Sequence, residues 1–450
     1  MKLALLLFIP LASLFLLSTQ ILKLPAKPIA LSVQPGALPI INITVDNLRK
    51  KLKNPAYLEI ISSNPQESLG PYPISLEISG NTAVRYPKNR LNFQFARHTD
   101  WLDGINRKVL NLRSDDDWVL DGAYRDKLIF RNKLNHDLYN ELSGSKNTIN
   151  SRFVEVYVNS KFEGLYNLLE KPDRKLYALE SSPIEQTVQA KFIKFFHNLS
   201  HKSKYHIGYK VFRAIPRGIE KARRYLFSDI KLEQAIYKAQ LHGADLFIDD
   251  PLLQGYYQKF PKERYLSSSS NLKDFILFIN NSTEQEFQNS IWKKLDRVST
   301  INYLHLLLLN TGEDNNKANY YLVYNHNKFF LKPWDLDRTF RSVMIETGKI
   351  QARYDIWTYD SNALYKRLLN DDPQFLKELK DLWFKRRKTI LSSNSLKVRF
   401  KKYYSQVSQD DAIQRNHKRW NFEDPKEELE LVLDWIDKRL EFVDQKLKSL

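Results

Sequence analysis

Asp314 and Asn319 are separated by four residues, and two short β-type runs, 319–324 and 328–332, follow with Asn325-His326-Asn327 between them as a turn. The stretch closes on Asp335 and Asp337. A hairpin of that kind brings its two ends together, so an acid, an amide and two further acids would converge. Such a set suits a carboxylate base for a hydroxyl, beside hard oxygen ligands for a divalent metal. The plainer reading is an Asp/Asn turn with acids at a strand end, and the spacing alone does not choose between them.

The surrounding elements add weight. The apolar run 301–309 predicts a helix leading into Asp314. Helix, Asp-x4-Asn, hairpin and then an acidic residue is the order of parts in protein kinases, where the base touches the acceptor and the Asn and later Asp hold Mg²⁺ against the phosphates. Other chemistries lack support. There is no Gly-x-Ser-x-Gly and no Gly-x-x-x-x-Gly-Lys-Ser/Thr. His197 and His201 lie one helical turn apart, but Asn198 stands where a zinc hydrolase needs Glu, so they read as surface histidines. The chain has no cysteine, which excludes disulfides, thiolate metal sites, cysteine nucleophiles and a lipid-bearing lipoprotein cysteine.

With 450 residues, 42% of them hydrophobic, the chain has ample material for a packed core. A net charge of +18 favours anionic partners without choosing among phosphate ligands, acidic proteins, lipid and nucleic acid. Residues 3–22 are nearly all apolar after Met1-Lys2, so residues 1–24 are expected to be a cleaved signal peptide or an uncleaved membrane anchor. That places the protein in the cell envelope, exported or anchored, rather than in the cytoplasm, and it argues against nucleic acid as a partner.

Residues 25–39 are Pro-rich and read as a linker. Strand patterns follow at 40–45, 74–78, 90–95 and 108–112, then a helix over 126–142 with Asp126 as its cap, then a hairpin of 153–158 and 165–169 around Asn159-Ser160-Lys161. Residues 180–298 read as mostly helical. Within them 202–224 carries eight Lys or Arg against the single acid Glu220, either a solvated basic face or a surface for anions. Asn281 heads a chance-prone glycosylation triplet. Helices are expected at 361–369, 372–394 and 425–450, the last strongly amphipathic and packed on a core.

Several blocks together resemble the CotH-like family of atypical kinases, named after a spore coat protein. They are Gly80-Asn81-Thr82 with Tyr86-Pro87-Lys88; 108–112 with Trp118-Val119-Leu120; Asp126-Lys127 with Arg131-Asn132; Val156 to Asn159 with Gly164-Leu165-Tyr166 and Glu170; Asn319-Tyr320-Tyr321 with Pro333-Trp334-Asp335-Leu336-Asp337; and 435–439. The set runs in order from about residue 74 to 445. Ser79 stands where the family often has Arg, Ser160 replaces the usual Gly of the Asn-Gly turn, and 180–298 has no counterpart.

The resemblance implies an α+β, protein-kinase-like, two-lobed fold: a β-rich N-lobe at 40–179, a helical insertion at 180–298, and the catalytic loop, metal loop and helical C-lobe at 299–450. It implies ATP and Mg²⁺ or Mn²⁺, with phosphate passing to a Ser/Thr hydroxyl of a protein substrate, which the basic charge suggests is acidic. Asp314 would be the base. Asn319 and Asp337 would hold the metal, with Asp335 sharing that role or bracing the loop. Lys88 or Arg90 would reach the nucleotide phosphates. Arg131 would clamp phosphate or form a structural ion pair, and Glu170 would touch the nucleotide or Lys88. The alternatives are the same fold running another ATP-dependent transfer, adenylylation or amino-acid ligation, and a non-catalytic coat or envelope scaffold.

Overall fold

The computed structural model describes residues 25, 27–50, 52–80, 83–96, 104–144, 147–181, 231–239, 255–262, 268–344, 350–357, 359 and 362–450. The apolar run 3–22, His197, His201 and the basic stretch 202–224 lie outside the described residues. Among the described residues, no helix is long and apolar enough to cross a membrane.

Seven strands form a closed barrel: β1 (Ile40–Thr44), β2 (Asn54–Ile61), β3 (Leu69–Ser79), β4 (Arg90–Phe95), β5 (Asp117–Asp121), β6 (Ser151–Val158) and β7 (Lys161–Glu170). Their order is β1-β2-β3-β4-β5-β7-β6, and β6 returns parallel to β1 to close the ring. Every other pairing is antiparallel. Alternate residues point inward and fill the interior, as with Leu91, Phe93 and Phe95 on β4 and Trp118 and Leu120 on β5. The β6–β7 turn is Asn159-Ser160, both at positive φ (50° and 61°), the conformation a two-residue hairpin demands and the reason Asn-Gly is common there.

A second sheet, in the order β9-β8-β10-β11, comprises β8 (Ala235–Ala239), β9 (Tyr256–Phe260), β10 (Tyr320–Asn325) and β11 (Lys328–Pro333). One face of it packs on the outside of the barrel. Val119 and Leu169 from the barrel meet Ile236, Tyr321, Val323 and Trp334 in a shared apolar layer. The other face joins a large core built from α1 (Arg131–Ser143), α2 (Ser270–Asn281), α3 (Glu284–Lys294), α4 (Arg297–Asn310), α6 (Ala363–Asn370), α7 (Pro373–Arg387), α8 (Ser393–Ser408), α9 (Ala412–Trp420) and α10 (Pro425–Ser449). A short α5 (Glu313–Lys317) follows α4. Helix α4 is capped by Asp296, whose carboxylate accepts from the Ser299 amide at 2.7 Å, and is buried nearly all round. On α10, Val432, Ile436, Leu440, Val443 and Leu447 face this core.

The chain is therefore α+β, but the two-lobed protein-kinase fold is not what forms. The N-terminal strands close into a barrel, and alternation within each strand is the same for an open sheet and a barrel, so the local pattern could not show the closure. Residues 180–298 are not simply a helical insertion, since β8 and β9 complete the sheet that carries the hairpin. The strand expected at 108–112 is reduced to a two-residue ladder, Arg107–Lys108 with Ser114–Asp115. Val109, Leu110 and Leu112 instead join the barrel's apolar interior. Asp126 lies upstream of α1 rather than at its cap, accepting from the Leu128 and Arg131 amides at 2.9 and 2.7 Å.

Candidate active site

The predicted hairpin is present, and its register dictates what meets at its open end. Tyr320 pairs with Pro333, so Asn319 and Trp334 are neighbours; the Trp334 amide donates to the Asn319 carbonyl at 3.1 Å. Asn315 of α5 binds both sides, donating to the carbonyls of Asn319 (3.0 Å) and Trp334 (2.8 Å). Asn319 sits at φ 53° and Asp335 at φ 60°, a left-handed backbone that Asn and Asp tolerate better than most residues. The Asn319 amide group donates to Asp314 at 3.3 Å. Helix α1 holds the next residues. Asn132 accepts from the Leu336 amide at 3.1 Å, and Asn135 donates to the Leu336 carbonyl and to the Thr339 hydroxyl.

The barrel supplies the facing wall. Leu91 pairs with Leu120 and both point inward, so Arg90 and Asp121 fall opposite each other and point outward. Arg90 bonds Asp121 at 3.1 Å and also Asp335, tying barrel to hairpin, and lies over the Trp334 ring at 5.5 Å. Lys88 precedes β4, with its ammonium donating to the Leu165 carbonyl at 2.5 Å and to Asn416 at 2.8 Å. Gly122 lets its stem pass: a Cβ there would lie 3.3 Å from Lys88 Cγ and 3.0 Å from the Asn89 carbonyl. Tyr86 and Tyr124, stacked at 5.1 Å, border the same cleft with Arg338 and Lys238.

The charges in this cleft are perturbed in different directions. Burial raises Asp314, and Asp335 adds to the rise against Arg338. Desolvation of the half-buried Asp335 would raise it too, yet Arg90 holds it below the usual carboxylate range. Asp337 is pushed well above that range by burial, with Asp335 and Asp121 as neighbours. Burial opposes the charge on Arg90, but Asp121, Asp335 and Asp337 together keep it firmly protonated. Burial lowers Lys88 to about 7 and Lys238 to about 8. Perturbed charges of this kind cluster at functional sites.

The CotH kinase protein family model matches residues 76–443, from β3 into α10. The chain belongs to the CotH kinase family. A comparison with curated proteins gives no match.

The CotH-family match spans the whole cleft, and the cleft gathers six of the eight residues singled out from the sequence: Asp314, Asn319, Asp335, Asp337, Lys88 and Arg90. Arg131 and Glu170 are not among them. Arg131 is buried, pairing with Asp126 and Glu428 at 2.5 Å each and donating to the Phe340 carbonyl at 3.2 Å. It is the structural ion pair of the two roles considered for it. Glu170 accepts from the amides of Arg113 and Asn150 at 3.0 and 2.9 Å and lines a separate recess of about 560 Å³ with Arg113, Lys133 and Ser151. It ends β7 at the far side of the β5–β7 ladder from Asp121, since Trp118 pairs with Glu170 and Asp121 with Asn167.

The sequence reading missed Asp121, Lys238 and Arg338. Asp121 was within reach, because the alternation of Trp118 and Leu120 inward already turns it outward. Lys238 lies in a five-residue strand hidden in a segment read as helical. Among the described residues, no three Asp, Glu, His or Cys side chains converge as a closed metal cage. The donors present are hard oxygens, and Asp337 has no hydrogen-bond or ion-pair partner among the described residues. That is a fitting set for Mg²⁺ or Mn²⁺ held by one or two carboxylates and completed by phosphate oxygens.

Proposed function

We propose that this CotH-family chain is an ATP-dependent phosphotransferase that phosphorylates a Ser or Thr hydroxyl of a protein substrate. The observation that carries the reading is the convergence of Asp314, Asn319, Asp335 and Asp337 at one hairpin end, opposite Lys88 and Arg90 on the barrel wall. Asp337 and Asn319 would hold Mg²⁺ or Mn²⁺, with Asp335 fixed beside them by Arg90. When bound, nucleotide and metal supply the transferable phosphoryl group and neutralise charge on it. Asp314 orients the acceptor hydroxyl and takes its proton as the oxygen bonds to phosphorus and the bond to the leaving ADP breaks. Its raised proton affinity suits that task. Lys88 and Arg90 would supply positive charge for the phosphates from the barrel wall.

In this reading the protein works in the cell envelope, exported or held by residues 1–24, with an acidic protein as substrate. The test is mass analysis of co-purified proteins after incubation with ATP and Mg²⁺ or Mn²⁺. Added phosphate is expected, rather than AMP or an amino acid. Asp314→Asn and Asp337→Asn should each abolish transfer and leave the circular dichroism spectrum unchanged. Asp337→Asn should also raise the melting temperature at pH 7, because it removes a half-buried, partly desolvated carboxyl group repelled by Asp335 and Asp121. Purified protein that binds no ATP with either metal would falsify the reading.

A further inference from the structure

Four basic side chains border the cleft, and three have protein partners. Lys88 donates to Leu165 and Asn416, Arg90 bridges Asp121 and Asp335, and Arg338 donates to the Tyr86 hydroxyl at 3.2 Å. Lys238 has neither a hydrogen bond nor an ion pair among the described residues. It is not an ordinary solvated lysine, because burial depresses its ammonium to about 8, with Asp335 pulling the other way and Lys259 and Arg90 adding to the fall.

Its direction follows from the strand. On β8, Ile236 faces the apolar layer between sheet and barrel, while Tyr237 faces the helical core. Lys238 alternates back to the Ile236 side and lies opposite Tyr321 on β10, whose ring is in that same layer. Where the layer ends, Lys238 enters the cleft. An apolar residue would extend the layer there without cost, whereas a partly desolvated cation with no partner is unfavourable. A ligand anion is what would compensate it. The cleft also holds Asp121, Asp314, Asp335 and Asp337, which repel a bare carboxylate ligand. A phosphate chain that arrives with a divalent cation brings its own neutralisation and still offers oxygens to a lysine.

We propose that Lys238 binds a phosphate oxygen of the nucleoside triphosphate, as the cation left free for that contact. This rests on the ATP-dependent reading above and adds to it: the segment 180–298, through its strand β8, supplies a residue of the nucleotide site.

The experiment uses the full chain and compares Lys238→Met, Lys238→Gln and Lys238→Arg with the wild type. Binding of ATP with Mg²⁺ and of adenosine is measured by calorimetry, with melting temperatures alongside. Loss of a charge-assisted hydrogen bond predicts an ATP affinity lower by about ten- to a hundredfold in the Met and Gln variants. Adenosine affinity stays unchanged, Arg restores most of the ATP affinity, and the melting temperature does not fall. Unaltered ATP affinity in both neutral variants overturns the proposal. So does equal weakening of ATP and adenosine, which would mark a structural role. A wild-type protein that binds no ATP brings down the phosphotransferase reading itself, and the wild-type arm separates that failure from a failure at Lys238.

Discussion

Replacing Lys88 by Met probes whether the cleft keeps this cation at the expense of stability. Lys88 is 1% exposed, and burial lowers it from 10.5 to about 7, with Asp121, Glu163 and Asp126 offsetting part of the fall. In the unfolded chain the lysine keeps its proton up to its ordinary value. Between pH 7 and 10.5 the unfolded state therefore binds one more proton than the folded state, so stability rises with pH across that window and is lost as pH falls toward 7. At about 1.36 kcal/mol per pH unit, the whole window is worth about 5 kcal/mol, and the accessible part from about pH 7 to 8.5 about 2 kcal/mol. Methionine matches the stem and has no proton to exchange. It also leaves the Leu165 carbonyl and Asn416 without their donor, at a cost of about 1–3 kcal/mol. That cost does not vary with pH, so it displaces the variant's curve without changing its slope. The diagnostic is the difference in melting temperature between wild type and Lys88→Met, which should move in favour of the wild type by about 2–3 °C between pH 7 and 8.5 for a chain of this size. Parallel curves refute the claim that burial strips this lysine of its proton near neutrality. In the same samples, ATP affinity at pH 7 should fall.

Arg131→Met leaves Asp126 buried beside no cation and removes one of two partners from Glu428, the other being Arg341. A loss of about 3–5 kcal/mol is expected, seen as a large fall in melting temperature, with ATP affinity of the folded fraction unchanged; lost ATP affinity at an unchanged melting temperature would instead restore the phosphate-clamp role. Gly164→Ala places a Cβ 2.6 Å from the Asn416 side-chain oxygen and 3.1 Å from Lys88 Cε, at a φ of +134°. It should cost about 1–3 kcal/mol in thermal denaturation and weaken ATP binding by shifting the Lys88 support; an unchanged melting temperature would contradict so close an approach.

The parts of the site that could be read in the sequence are those whose geometry is local. Two β-type runs and an Asn-His-Asn turn specify the hairpin, and the hairpin alone brings Asn319 to Trp334 and Asp335. Barrel closure depends on Ile41 meeting Val156 across more than a hundred residues, and nothing in either strand's alternation encodes that partner. Arg131 illustrates the same limit in a side chain. An arginine at the start of a helix beside a phosphate-type site suggests a ligand contact, and only the fold shows that Glu428 of α10 already occupies it. Lys238 escaped for a different reason: five residues of strand are too short to show a period against lysine- and aromatic-rich flanks.

The way the hairpin end is held bears on why its charges are available. Asn132, Asn135, Asn310 and Asn315 form its support, and Asn310 donates to Asn135 at 2.7 Å to link α4 to α1. Asn132, Asn135 and Asn315 bond backbone groups of Asn319, Trp334 and Leu336, which fixes the loop without adding a cation. Had lysines or arginines done this work, Asp337 would be neutralised within the protein. Instead the support is uncharged, Arg90 is shared between Asp121 and Asp335, and Asp337 and Lys238 remain without partners among the described residues. A carboxylate and an ammonium held unpaired in one cleft cost stability in the free protein. Under the proposed phosphotransferase reading, that cost would be recovered when a metal and an anion arrive together, so joint binding of nucleotide and divalent cation should be more favourable than binding of either alone.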